Sequence, residues 1–154
     1  MRKFLDFLQE IGSIMYVGGI LSHIIIGANF GHLDPQTAYT VAMYKEISAY
    51  ILILPGLGLK IISDIILYYS YEVKPNYMKV KFVLIAFLSV NAFFFLVPMM
   101  PELVDLAQAS VEAGEFTPEF LDRSHTEGLI GMSNAIPLLL EIVLTSFKPK
   151  IFGK

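Results

Sequence analysis

Cysteine is absent from the 154 residues. Disulfides, zinc–thiolate sites, iron–sulfur clusters and cysteine nucleophiles are excluded with it. Charge is scarce too: 16% of the residues are Asp, Glu, Lys or Arg, against about 25% in a soluble domain. So few charges cannot solvate a chain that is 55% hydrophobic and holds 12 Phe and 8 Tyr, so a water-soluble fold is not expected. There is no excess of positive charge either, with 11 Lys and Arg against 14 Asp and Glu. That excludes nucleic-acid binding, which needs a basic surface. A phosphate-cradling glycine loop is missing, because Gly18-Gly19 falls inside a helical run, and no nucleophile elbow is present.

What the chain has instead is four apolar runs, at 8–30, 47–69, 78–98 and 128–147. Each approaches the length of about 20 residues that crosses a hydrocarbon core about 30 Å thick. None alternates polar and apolar as a membrane strand does, and helices satisfy their own backbone groups in lipid. The pattern predicts an all-α fold: a single transmembrane domain over residues 1–154, built as a four-helix bundle in the lipid bilayer. Asp6 and Glu10 interrupt the start of the first run, and no small-residue cleavage site precedes Asp34-Pro35. That run is therefore expected to be a retained helix rather than a signal peptide.

If four helices cross in succession, Arg2, Lys3, Lys74, Lys79, Lys81, Lys148, Lys150 and Lys154 fall on one side, and only Lys45 and Arg123 on the other. The positive-inside rule then places both termini in the cytoplasm. Asp34-Pro35 predicts an N-cap and first helical residue outside the bilayer. Pro101 predicts a new, short amphipathic helix along the outer surface, with Leu103, Leu106, Ala107 and Val111 on one face and Gly114 at its end. Ser124-His125-Thr126-Glu127 matches a capping box and predicts the start of helix four there.

Polar residues at membrane depth are the functional pointers, because each is costly to insert. An outer layer holds His23, Asn91, Met132 and Asn134. Gly12, Tyr16, Gly19, His23 and Gly27 share one helical face, as do His125, Gly128 and Met132. Glycines beside a histidine let a flat ring approach a helix backbone, and His23 with Met132 or with His125 can supply two axial ligands to a haem iron. The same glycines can equally be a packing seam, with His23 a hydrogen-bonded interior group. His32, His125, Met43, Met99 and Met100 form an outer rim of soft ligands that suits copper(I), although no spaced Met or His motif is present. An inner layer holds Lys60, Asp64 and Glu141. Lys60 and Asp64 are four apart on one face, and Glu141 matches their depth. This network fixes helix register, serves a proton path or anchors an acidic ligand group. Pro55-Gly56 lies close by and is expected to kink the second helix.

Several short stretches resemble the small bacterial membrane proteins of the HemJ and CopD type: Ile11-Gly12 followed by Tyr16-Val17-Gly18-Gly19, Pro55-Gly56, Tyr77-Met78-Lys79-Val80-Lys81 and Phe147-Lys148-Pro149. The resemblance implies a four-helix protein of the bacterial inner membrane that handles porphyrin or metal. HemJ oxidises protoporphyrinogen with a bound haem b. The histidines it uses fall here at Gln9, Lys79 and near Asn91 or Ala92, so that activity does not carry over residue by residue. The expectation is a haem b-binding membrane protein with a redox or haem-related role. Copper handling of the CopD kind and a non-catalytic membrane subunit are the alternatives. A redox partner and self-association are left open.

Overall fold

The computed structural model describes residues 2–150, so Lys154 lies outside the described residues. Four long helices make an all-α bundle: α1 (Arg2–Phe30), α2 (Pro35–Ser70), α3 (Asn76–Ala113) and α4 (Pro118–Phe147). Each is long and apolar enough to cross a membrane. Adjacent helices run antiparallel through short connections. One end of the bundle, here the terminal end, carries residues 2 and 150 and the 71–75 turn. The distal end carries the 31–34 and 114–117 turns.

The outside of the bundle is apolar and the inside is partly ionic, the reverse of a soluble fold. Ile14, Val83, Phe94 and Ile136 are each at least 70% exposed, whereas Lys60, Asp64 and Glu141 are at most 1% exposed. Three apolar cores stack along the axis. Leu5, Leu67, Tyr77 and Met78 pack at the terminal end. Tyr16, Ile53, Leu57, Leu88, Met100 and Leu138 fill the middle. Ala38, Ala42, Leu103, Ala107 and Phe120 close the distal end.

Local chemistry explains where the helices start and bend. Asp34 caps α2 as expected, its carboxylate accepting from the Thr37 N–H at 2.9 Å, with Pro35 in the first turn. A proline ring collides with the carbonyl four residues earlier and deprives it of a donor. For Pro55 and Pro98 those carbonyls belong to Ile51 and Phe94, inside the π-helical turns Ala49–Ile53 and Asn91–Leu96. In α4 the corresponding carbonyl of Pro137 is that of Ser133, and the helix breaks beside it at Asn134. The predicted kink of the second helix is thus a widened turn, matched by a second one in α3 and by an outright break in α4.

Two expectations are corrected. Pro101 does not open a separate surface helix; it lies inside α3, which runs on to Ala113 and ends at Gly114 with φ +75°. The reason is tertiary: Leu103 and Ala107 pack on Ala38 and Ala42 of α2, so the two helices extend together beyond the apolar run. Ser124–Glu127 is not a helix start either. Thr117 caps α4, accepting from the Phe120 N–H at 3.3 Å ahead of Pro118, and the apparent capping box lies two turns inside.

The α1–α2 contact is nearly backbone on backbone. A Cβ at Gly12 would stand 2.8 Å from the Gly56 carbonyl oxygen, and one at Gly56 would stand 2.7 Å from the Tyr16 nitrogen. Only glycine permits this approach.

Candidate functional site: an ionic cluster below a distal cavity

Two polar centres occupy the bundle. The first is a cluster near the terminal end. Lys60 of α2 donates to Glu141 Oε2 of α4 at 2.8 Å and to Ser13 Oγ of α1 at 2.9 Å. Lys81 of α3 donates to Asp64 Oδ1 at 2.7 Å and lies 3.4 Å from Glu141 Oε1. The Gln9 amide also donates to Asp64 Oδ1, and Thr145 donates to Glu141 Oε1 at 3.0 Å. All four helices contribute, and two ammonium groups face two carboxylates. Asp64 Oδ2 is the one buried side-chain polar atom without a partner among the described residues.

The sequence brought Lys60, Asp64 and Glu141 to one level, and the structure joins them, but through a fourth member. Lys60 pairs with Glu141 rather than with Asp64. Lys81, counted above as a cytoplasmic-side surface cation, is 2% exposed and bridges the two carboxylates. Lys81 lies two residues beyond exposed Lys79, and only its position on the opposite side of the helix marks it as interior.

The second centre is a cavity of about 500 Å³ in the distal half, walled by all four helices. His23 and Gly27 line it from α1 and Gly31 from the turn that follows; Lys45, Ala49 and Ile53 from α2; Ala92, Leu96 and Met100 from α3; His125, Gly128 and Met132 from α4. Both π-helical turns and the Asn134 break thus lie on its walls. At Gly128 and Gly131 an added Cβ would meet nothing within 4 Å, so open space adjoins bare backbone there. Lys45 and Glu127 form an ion pair at 2.8 Å on the lining.

His23 is nearly buried, and its Nε2 lies 2.6 Å from Ser48 Oγ. The Ser48 hydroxyl has one proton, and that reaches the Lys45 carbonyl at 3.2 Å. With the Ser48 proton on that carbonyl, the oxygen accepts from the Nε2–H tautomer of His23, the form that carries its lone pair on Nδ1. His125 is exposed on the lining, and Met132 is 63% exposed. His32 also lines the cavity, 3.3 Å from Ser124 Oγ.

Of the candidate cofactor-binding residues, His23, Gly27, His125, Met132 and Asn134 meet at this cavity. Gly19 and Asn91 do not line it. A Cβ at Gly19 would stand 2.6 Å from Ile53 Cγ1, so this glycine belongs to the packing seam. Asn91 donates to Asn134 Oδ1 at 2.6 Å and ties α3 to α4. The soft-ligand rim is divided: His32, His125 and Met100 line the cavity, whereas Met99 is buried away from it and Met43 is exposed outside it. Among the described residues no group of three or more His, Asp or Glu side chains is placed to hold a metal ion. The sequence reading missed the Lys45–Glu127 pair. Its signal was the lone outer-side lysine three residues before Ser48, on the face that also carries Val41 and Ala38.

Compared with known proteins, the chain matches no protein-family model, no curated protein and no solved structure.

Proposed function

We propose that this chain is a multi-pass protein of the bacterial inner membrane, its termini cytoplasmic, that binds haem b in the distal cavity for a redox or haem-related reaction. One observation carries the reading: His23, His125 and Met132, from helices on two sides, converge on one largely apolar cavity of about 500 Å³. Small-molecule sites are of this size, mostly apolar, with a few placed polar groups. The residues fit the group in three respects. His23, in the tautomer that donates from Nε2 to Ser48, and the ring of His125 offer nitrogen donors, with Met132 a thioether donor seven residues along from His125. Gly27, Gly31, Gly128 and Gly131 keep the walls low enough for a flat ring. Lys45 is a cation on the lining that can face an acidic substituent. The iron, when bound, supplies one-electron chemistry; the chain's own contribution is to hold the ring, exclude lipid and set the charge around it. The resemblance to HemJ- and CopD-type proteins supports the same class of ligand. The excess of exposed lysines at the terminal end supports the orientation.

The test is a spectrum of the detergent-purified chain, oxidised and reduced, before and after adding haem b. A Soret band that shifts on reduction is expected. His23→Ala and His125→Ala should each change or abolish it, and His32→Ala should leave it nearly unchanged. Haem that stays unbound, or a spectrum indifferent to both His23 and His125, refutes the assignment.

A further inference from the structure

We propose that the ionic cluster is a proton-exchange site in which Asp64 Oδ2 takes up the proton, and that its loading is transmitted to the distal cavity through Tyr16. The polar atoms of the cluster are matched with one exception. Lys60, Lys81 and both oxygens of Glu141 have partners, and Asp64 Oδ1 accepts from Lys81 and Gln9. Asp64 Oδ2, in a fully buried residue, accepts from nothing. A buried carboxylate oxygen without a donor is where a proton relieves most.

The charges around it allow the change. The formal charges of Lys60, Lys81, Asp64 and Glu141 cancel, so one proton takes the cluster to a single positive charge. Lys81 then loses its anionic partner at 2.7 Å but keeps Glu141 at 3.4 Å. The groups facing Asp64 and its partners are Gln9, Ser13 and Tyr16 from α1, Lys60 from α2, Lys81 from α3, and Glu141 and Thr145 from α4. The step balances simply: a proton from water at the terminal end bonds to an Oδ2 lone pair, no other covalent bond breaks, and release is the reverse. Asp64 lies six residues from the end of α2, about 9 Å of helix.

The link to the cavity runs along α1. Gln9, Ser13, Tyr16 and His23 lie on one face at helical spacing. Gln9 and Ser13 touch the cluster, whereas Tyr16 and His23 line the cavity. Tyr16 is 1% exposed and within electrostatic range of Glu141.

Infrared difference spectra of the full-length chain in detergent, between neutral and acid pH, test this without any cavity ligand. A protonated-carboxyl band is expected at lower frequency than that of a carboxyl free of hydrogen bonds, because with the proton on Oδ2 the carbonyl oxygen is Oδ1, which accepts from Lys81 and Gln9. Asp64→Asn should remove it and Glu141→Gln should retain it. Gln9→Leu, which deletes a donor to the charged form, should move its midpoint to higher pH. A tyrosine ring mode should accompany the band and vanish in Tyr16→Phe. A band unaffected by Asp64→Asn, or none at all, overturns the site. If Asp64→Asn does not fold, an unmoved midpoint in Gln9→Leu overturns it instead. Absence of the tyrosine mode overturns the link to the cavity.

Discussion

Lys60→Met is the most informative single change. The lysine is 1% exposed and donates to Glu141 at 2.8 Å and to Ser13 at 2.9 Å. At an effective dielectric of 20, a charge pair at 2.8 Å attracts by about 6 kcal/mol and one at 3.4 Å by about 5 kcal/mol. Methionine removes the first attraction, but Lys81 at 3.4 Å keeps Glu141 partly compensated. The loss therefore falls at the low end of what breaking a buried pair costs, about 3 kcal/mol. For a chain of this length that is a Tm lower by about 6–12 °C, followed by far-UV circular dichroism in detergent. The double variant Lys60→Met/Glu141→Leu leaves the 2.7 Å Lys81–Asp64 pair as a neutral unit. It should recover most of the loss, since the stranded charge leaves with its partner. Equal Tm for Lys60→Met and wild type, or no recovery in the double variant, refutes the account.

Gly12→Ala would press a methyl to 2.8 Å from the Gly56 oxygen and should cost about 1–3 kcal/mol in the same assay, whereas Gly18→Ala, with nothing within 4 Å, should not destabilise. Cysteines placed at Glu115 and Val73, both exposed and in opposite end turns, should react with an impermeant reagent in intact cells at Glu115 only; the converse pattern would reverse the orientation. The carboxyl of Asp34 is held below its usual range first by the Thr37 hydroxyl and then by the Thr37 N–H. The stabilisation from this cap is present above the unfolded carboxylate pKa and lost as pH falls through the lowered folded one, so the Tm difference between wild type and Asp34→Ala should shrink on acidification.

The four helices were legible because lipid imposes length and apolarity on every span, and those constraints act on single runs of sequence. Residues between runs were harder. Pro101 reads locally as a helix start, yet the packing of Leu103 and Ala107 on α2 decides otherwise, a fact no local pattern carries. The depth argument brought Lys60, Asp64 and Glu141 together because a charge in a span has few places to go. It missed Lys81 because a lysine near a helix end is equally at home in the headgroups, and which way it points depends on neighbours. His23 and Met132 were legible as one layer for the same reason, and His125 only through the helical face it shares with Met132. Lys45 and Glu127 were not, since an ion pair 82 residues apart in sequence has no signature beyond its two charges.

The proline-linked distortions of α2, α3 and α4 have a mechanical consequence. All three sit at the cavity walls, and every member of the ionic cluster lies on their terminal side. They interrupt the regular helical hydrogen bonding of three of the four posts, while α1, clamped to α2 through Gly12 and Gly56, runs past them unbroken. A tilt of the distal segments about these points would change the size of the chamber and leave the charged base below in register.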